Sequence, residues 1–178
     1  MEVSEELVFT GCNFFRQRLT YSLLSGKPII IREIRSMDDN PGIRDFEATL
    51  LSLLEKITNG TRIEIGPTGT DVSFTPGVLD GSKIELDCGN KRCLSYFLEP
   101  LILLAPFCKH PLDVRLCGIT NAPGELSVDA IKSTWLPVFR RFILNDENLD
   151  LQASFSFFSI PLVSYVNLER IKCKFHSN

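Results

Sequence analysis

The stretch from Gly26 to Glu47 constrains the fold more than any other, because four structural signals follow one another in it without a gap. Gly26 and Pro28 stop a preceding helix: glycine tolerates a left-handed cap, and proline cannot continue the ladder. Ile29 to Ile34 is a β-branched run, long enough for a strand and too short for a helix. The polar turn Ser36 to Gly42 comes next, and a new helix is predicted from near Pro41. Asp45 and Glu47 in its first turn suit the positive end of the helix dipole. The stretch therefore reads as helix end, buried strand, charged turn and helix start.

The elements around it follow from periodicity. Leu7 to Phe9 is a short strand, and residues 13–25 are a helix with Phe15, Leu19 and Leu23 on one face. Helix 43–58 carries the apolar stripe Phe46, Leu50, Leu53, Leu54 and Ile57, and Asn59-Gly60 ends it. Arg62 to Ile65 and Asp71 to Thr75 alternate around Gly66-Pro67-Thr68-Gly69, which predicts a hairpin. After Pro76-Gly77 the pattern restarts. Lys83 to Cys88 is a strand, 91–105 a helix with Leu94, Phe97, Leu98, Leu101 and Leu104 inward, and Leu112 to Leu116 a strand. Ser127 is the N-cap of a helix to about Leu144, with Ile131, Trp135, Val138, Phe139 and Phe142 inward. Kinks or breaks are expected at Pro100 and Pro137. Leu149 to Ala153 is a further strand. The order is β-α-β-α-β-β, then β-α-β-α-β.

Composition narrows the class. The 178 residues suffice for one ordinary domain with its own core, and 44% hydrophobic with 23% charged residues is the balance of a soluble globular protein. A net charge of −3 argues against a general polyanion binder while leaving room for a local basic patch. Cys12, Cys88, Cys93, Cys108, Cys117 and Cys173 form no CxxC pair and no zinc-spaced cluster with histidine. The acidic start, Met1 to Glu6, lacks a signal-peptide core, so a reducing compartment and free thiols are expected. No apolar run reaches the roughly 20 residues that span a bilayer.

Arg16, the run Gly26 to Arg35, and Asp39-Asn40-Pro41-Gly42-Ile43-Arg44-Asp45-Phe46-Glu47 together resemble the RNA 3′-terminal phosphate cyclase family. The resemblance is closer to the cyclase-like branch, which serves ribosome assembly. It covers roughly residues 9–152. It implies an α+β fold of tandem βαβαββ units, each a small sheet covered by two helices. In the family three such units make the large domain, and a smaller domain is inserted between the second and third. This chain is then expected to hold an incomplete large domain over 1–152, with units 1–77 and 78–152, and a divergent tail over 153–178. In that tail the family's Gly-rich turn is replaced by an uncharged run from Ala153 to Val166 without glycine. An alternative exon, a read-through intron, a gene-model error or ordinary divergence would each give that change. Exposed, the run is an aggregation hazard.

The resemblance also directs attention to particular side chains. True cyclases attach a nucleotide to a histidine of the third unit. The two histidines here, His110 and His176, match no such motif, and His110 reads as a loop residue ahead of a strand. Where cyclases show Glu-Gly-Gly-Gly-Gln, this chain has Phe9-Thr10-Gly11-Cys12-Asn13, losing a carboxylate and the glycines that let backbone approach phosphate. Asp38 and Asn40 replace basic residues, and Asp45-Phe46-Glu47 replaces Arg-Gln-His; acidic groups facing a triphosphate cost Coulomb energy. Arg16, Arg35 and Arg44 remain as phosphate or RNA contacts, with Asn121 in the strand-end loop Gly118-Ile119-Thr120-Asn121. The alternative for Arg16 and Arg35 is a pair of structural arginines bonding a loop, and for the Asn121 loop a plain turn. Gly66-Pro67-Thr68-Gly69-Thr70 lacks the Lys-Ser/Thr of a phosphate loop, and Ser154 and Ser156 have no triad partners.

These departures imply a non-catalytic assembly factor, without a cofactor or metal site, that acts in small-subunit pre-ribosomal RNA processing in the nucleus and nucleolus. The implied partners are a ribosome-assembly GTPase, the small-subunit precursor particle and pre-ribosomal RNA, with no membrane. The competing readings are an ATP-dependent RNA 3′-terminal phosphate cyclase forming 2′,3′-cyclic phosphate, and a non-functional truncated product.

Overall fold

The computed structural model describes residues 6–141 and, as backbone strands, 150–151, 154–155 and 165–173. The chain divides into two compact units, Met1–Asp80 and Gly81–Asn178.

In the first unit the order is β1 (Leu7–Thr10), α1 (Phe15–Ser25), β2 (Ile29–Arg32), α2 (Asp45–Lys56), β3 (Thr58–Asn59), β4 (Arg62–Ile65), β5 (Val72–Thr75) and β6 (Val78–Leu79). β1 and β2 are parallel, Leu7 opposite Ile29, and α1 supplies the crossover that a parallel pair requires. The predicted hairpin forms between β4 and β5, with Arg62 opposite Thr75 and Ile65 opposite Val72. β5 also pairs antiparallel with β2, so the sheet runs β1-β2-β5-β4. β3 and β6 make a separate two-stranded pair absent from the sequence reading. α1 packs against β2 and β5, and α2 against β4. Phe15, Leu19 and Leu23 of α1 and Leu50, Leu53 and Leu54 of α2 are buried with Ile29, Ile31, Val72 and Phe74 of the sheet. Each such side chain removed from water contributes about 1.5–3 kcal/mol.

The second unit repeats this plan. β7 (Lys83–Asp87), α3 (Ser95–Leu104), β8 (Leu112–Ile119), α4 (Val128–Ala130), α5 (Leu136–Arg140), β9 (Asp150–Leu151), β10 (Ser154–Phe155) and β11 (Tyr165–Cys173) follow in order. β7 and β8 are parallel, and β11 lies antiparallel between β8 and β10, giving β10-β11-β8-β7 with β9 also on β11. In both units the last strand of the main sheet, β5 or β11, inserts beside the second parallel strand. The fold is α+β, with tandem βαβαββ units. β11 lies within residues 153–178, so a strand from the segment read as divergent is part of this sheet. Alternate residues of β8, Leu112, Val114 and Leu116, are buried. A Cβ at Gly118 would stand 2.9 Å from Leu94 Cδ2, which explains glycine where the start of α3 meets the sheet.

Several boundaries differ from expectation. The strand predicted to Ile34 stops at Arg32, because Glu33 (φ 56°) and Arg35 (φ 49°) take left-handed backbone that no strand continues. α2 begins at Asp45, so Pro41 belongs to the preceding loop and not to the helix start. β8 runs three residues past Leu116. α3 passes Pro100 without a break. The helix after Ser127 is capped as predicted, Ala130 N–H donating to Ser127 Oγ at 3.1 Å. It then winds as a π turn over Ile131–Trp135, Leu136 N–H donating to the Ile131 carbonyl five residues back. The wider turn gives the ring of Pro137 room against the preceding carbonyls. It also shifts the helical phase, and Val138, expected inward, is 53% exposed. Phe142, the end of that helix, His176, and Leu149, Gln152 and Ala153 of the predicted strand lie outside the described residues. Cys88, Cys93 and Cys108 are buried and Cys12 and Cys117 half-buried, and none of these five is in a disulfide.

Candidate functional site

In each unit the parallel strands deliver their following loops to one end of the sheet, where ligands of α/β sheets commonly bind. In the first unit these loops are 11–14, after β1, and 33–44, after β2. They are joined at their start, Gly11 N–H donating to the Arg32 carbonyl at 2.8 Å.

The longer loop is held as a rigid frame. Ile34 N–H donates to the Thr70 carbonyl (2.9 Å), Gly42 N–H to the Ile34 carbonyl (2.9 Å) and Ile43 N–H to the Gly69 carbonyl (3.0 Å). The β4–β5 turn is thereby pressed onto the loop, and a Cβ at Gly42 would stand 2.8 Å from the Thr68 carbonyl oxygen. Gly42 also has φ +88°, so glycine is required there twice over.

Arg35 is aimed inward by this frame. Its Nη1 donates to Glu47 Oε2 and its Nη2 to Glu47 Oε1, both at 2.7 Å, and Nη1 also reaches the Gly42 carbonyl at 3.1 Å. Glu47 sits at the third position of α2, is 2% exposed, and accepts a further bond from Arg44 N–H at 2.8 Å. The bond to Glu47 pushes the Arg35 pKa up, with burial opposing it and the Glu47 charge adding to the rise. Arg44 is engaged as well: Nη1 donates to the Asn40 carbonyl at 2.6 Å, and Nη2 lies 3.6 Å from Asp38 Oδ2. Arg35 and Arg44 thus converge on one carboxylate, the first through its guanidinium and the second through its main chain.

Arg16 is half-buried in the first turn of α1, and its carbonyl accepts from Thr20 Oγ1 at 2.9 Å. Asn121 belongs to the second unit, exposed two residues beyond β8. Arg18 is a residue the sequence reading missed. Its Nη1 donates to the Gly11 carbonyl at 2.8 Å, and its guanidinium lies 4.8 Å from the Phe9 ring centroid, fixing the turn from β1 to α1.

The second unit holds a related pair at the same end of its sheet. Glu125 Oε2 accepts from Cys93 N–H at 2.9 Å, just ahead of α3, and Oε1 lies 3.1 Å from Arg92 Nε. Arg92 in turn stacks 4.9 Å from the Tyr96 ring centroid. His110 is exposed between α3 and β8. Among the described residues no three His, Cys, Asp or Glu side chains are grouped to hold a metal ion, and no helix is long and apolar enough to cross a membrane.

Residues 7–155 match the family described as RNA 3′-terminal phosphate cyclase. A Caenorhabditis elegans protein named probable RNA 3′-terminal phosphate cyclase-like protein is 62% identical over 149 residues, covering 84% of this chain and 39% of that one. The Homo sapiens RNA 3′-terminal phosphate cyclase-like protein is 51% identical over 149 residues, covering 84% and 40%. The Saccharomyces cerevisiae rRNA processing protein RCL1 is 42% identical over 134 residues, covering 75% and 36%. The chain therefore spans 36–40% of the length of these curated relatives.

Proposed function

The chain belongs to the RNA 3′-terminal phosphate cyclase family, and from that membership we propose that it acts as a non-catalytic, cyclase-like assembly factor in small-subunit pre-ribosomal RNA processing. Its place of action is the nucleus and nucleolus, and its partners are pre-ribosomal RNA, the small-subunit precursor particle and a ribosome-assembly GTPase. The relatives support the process: two are named cyclase-like and the third an rRNA processing protein. The observation that carries the non-catalytic part is the bidentate Arg35–Glu47 pair. An arginine whose two terminal nitrogens already hold a carboxylate at 2.7 Å is not free to neutralise a triphosphate, and Asp38 adds negative charge near it. Asn121 and Arg16 are the RNA-contact candidates this reading keeps.

The test is a pull-down of the tagged 178-residue chain from nuclear extract, beside a full-length family member, probed for small-subunit precursor RNA. Enrichment comparable to the full-length control is the expected result. No enrichment while the control works overturns the reading. Incubation with labelled ATP addresses the cyclase alternative: no covalent label is expected, and a labelled histidine would restore it.

A further inference from the structure

β4 ends the sheet of the first unit, and among the described residues it is paired on one side only, with β5. The register fixes which of its backbone groups face outward. Gly66 N–H donates to the Asp71 carbonyl at 2.8 Å, one step beyond the Ile65–Val72 pair, so that pair is of the non-hydrogen-bonded kind. The two kinds alternate along an antiparallel ladder. Arg62 and Glu64 therefore direct their N–H and C=O groups to Thr75 and Ser73, while those of Ile63 and Ile65 point away from β5. The side chains alternate too. Ile63 and Ile65 lie opposite Phe74 and Val72, both 0% exposed, on the face that the helices cover; at the edge Ile63 is only half-buried and Ile65 is 47% exposed. Arg62 and Glu64 stand exposed on the other face, two residues apart. The edge thus carries outward donors and acceptors, an uncovered apolar rim and one charge of each sign.

We propose that two copies of this chain associate through β4, antiparallel and about a two-fold axis at Ile63, so that their four-stranded sheets join edge to edge. Ile63 then exchanges both of its outward backbone bonds with Ile63 of the second copy. Arg62 of each copy faces Glu64 of the other in a non-hydrogen-bonded pair, the kind in which side chains approach most closely. The charges select this register. Moving the axis one residue, to Arg62 or to Glu64, keeps outward groups against outward groups but sets two guanidinium groups or two carboxylates directly opposite, which is unfavourable. A charged edge resists an arbitrary strand, and one with a positive and a negative residue on the same face favours its own sequence run backwards. The apolar rim closes in the same step, with the Ile63 side chains of the two copies side by side. The claim rests on one sheet edge and is independent of the role in ribosome assembly.

The test is sedimentation equilibrium of the full chain over a concentration series, beside Arg62→Glu, Glu64→Arg and the double variant Arg62→Glu/Glu64→Arg. The unmodified chain is expected to show a reversible monomer–dimer equilibrium. Each single variant sets like charges opposite at both symmetric pairs, so its dimer should dissociate at a concentration at least about tenfold higher. The double variant exchanges the two signs and should recover the unmodified affinity. An equimolar mixture of the two single variants should associate more tightly than either alone, because one then offers two carboxylates where the other offers two guanidinium groups. A chain that stays monomeric throughout overturns the proposal. So does a dimer indifferent to both reversals, a double variant as weak as the singles, or a mixture no tighter than its components. Both positions are exposed, and thermal unfolding at the lowest concentration checks that each variant folds. Should a single variant not fold, amide exchange of the unmodified chain carries the test: the outward Ile63 N–H should exchange more slowly as concentration rises, and exchange independent of concentration overturns the proposal.

Discussion

A carboxylate that is 2% exposed costs free energy unless its oxygens are satisfied, and Glu47 satisfies them with Arg35 and Arg44 N–H. Glu47→Ala leaves the Arg35 guanidinium, whose side chain is 16% exposed, without its main partner. The expected loss is about 3 kcal/mol, read from urea unfolding in chloride buffer. Cys88 gives a pH test at the same scale. Burial, with the Asp87 charge and Cys117 adding to it, pushes its thiol up from 9.0 to about 12. The unfolded chain therefore releases this proton near pH 9 while the folded chain keeps it, so stability falls between about pH 9 and 12 and is unaffected by this group below. Cys88→Ala should lose less stability than the unmodified chain over that interval, measured by urea midpoints at stepped pH. Of these residue-scale features, the arginines were legible as anion partners, and Glu47 only as a dipole complement. Nothing local to a sequence separation of twelve residues says that Arg35 and Glu47 meet.

At the scale of elements, loops and caps decide where the candidate site sits. Periodicity placed α1, α2 and α3, because apolar residues recurring every three to four positions bury one helical face. It misjudged the helix after Ser127, since a π turn inserts an extra residue per turn and rotates everything beyond it. The start of α2 lies later than expected because Gly42 and Ile43 donate their N–H groups to the Ile34 and Gly69 carbonyls and so stay in the loop. Gly42 is the point of closest approach between this loop and the β4–β5 turn. Gly42→Ala must take φ +88° with a Cβ and displace the Thr68 carbonyl, and should destabilise by about 2 kcal/mol or more, seen as a lower thermal midpoint. Its loosened loop should also speed hydrogen exchange at Ile34 and Ile43 N–H, which bond the Thr70 and Gly69 carbonyls.

For the molecule as a whole, the second sheet shows what depends on distant sequence. β8 has β7 on one side and β11 on the other, and β11 pairs with it from Tyr165 opposite Ile119 to Cys173 opposite Leu112. A chain ending at residue 155 should therefore lose exchange protection through Leu112–Ile119 while keeping it in β2 and β5. The comparison is amide exchange of the shortened and full chains; equal protection of β8 in both would show that β11 adds nothing to the sheet.

The α+β class, the alternation of strands and helices, and the family were legible in the residues alone. Each of these rests on local spacing or on residues matched one by one, from Arg16 and the run around Ile29–Ile31 to Pro41-Gly42-Ile43-Arg44. That Arg35 is taken by Glu47, that Arg18 bonds the turn between β1 and α1, and that β11 joins β8 could be seen only in the folded chain. Those outcomes are contacts between residues far apart in the chain. They are set by how loops close and strands insert, which hydrophobic pattern and local propensity do not encode.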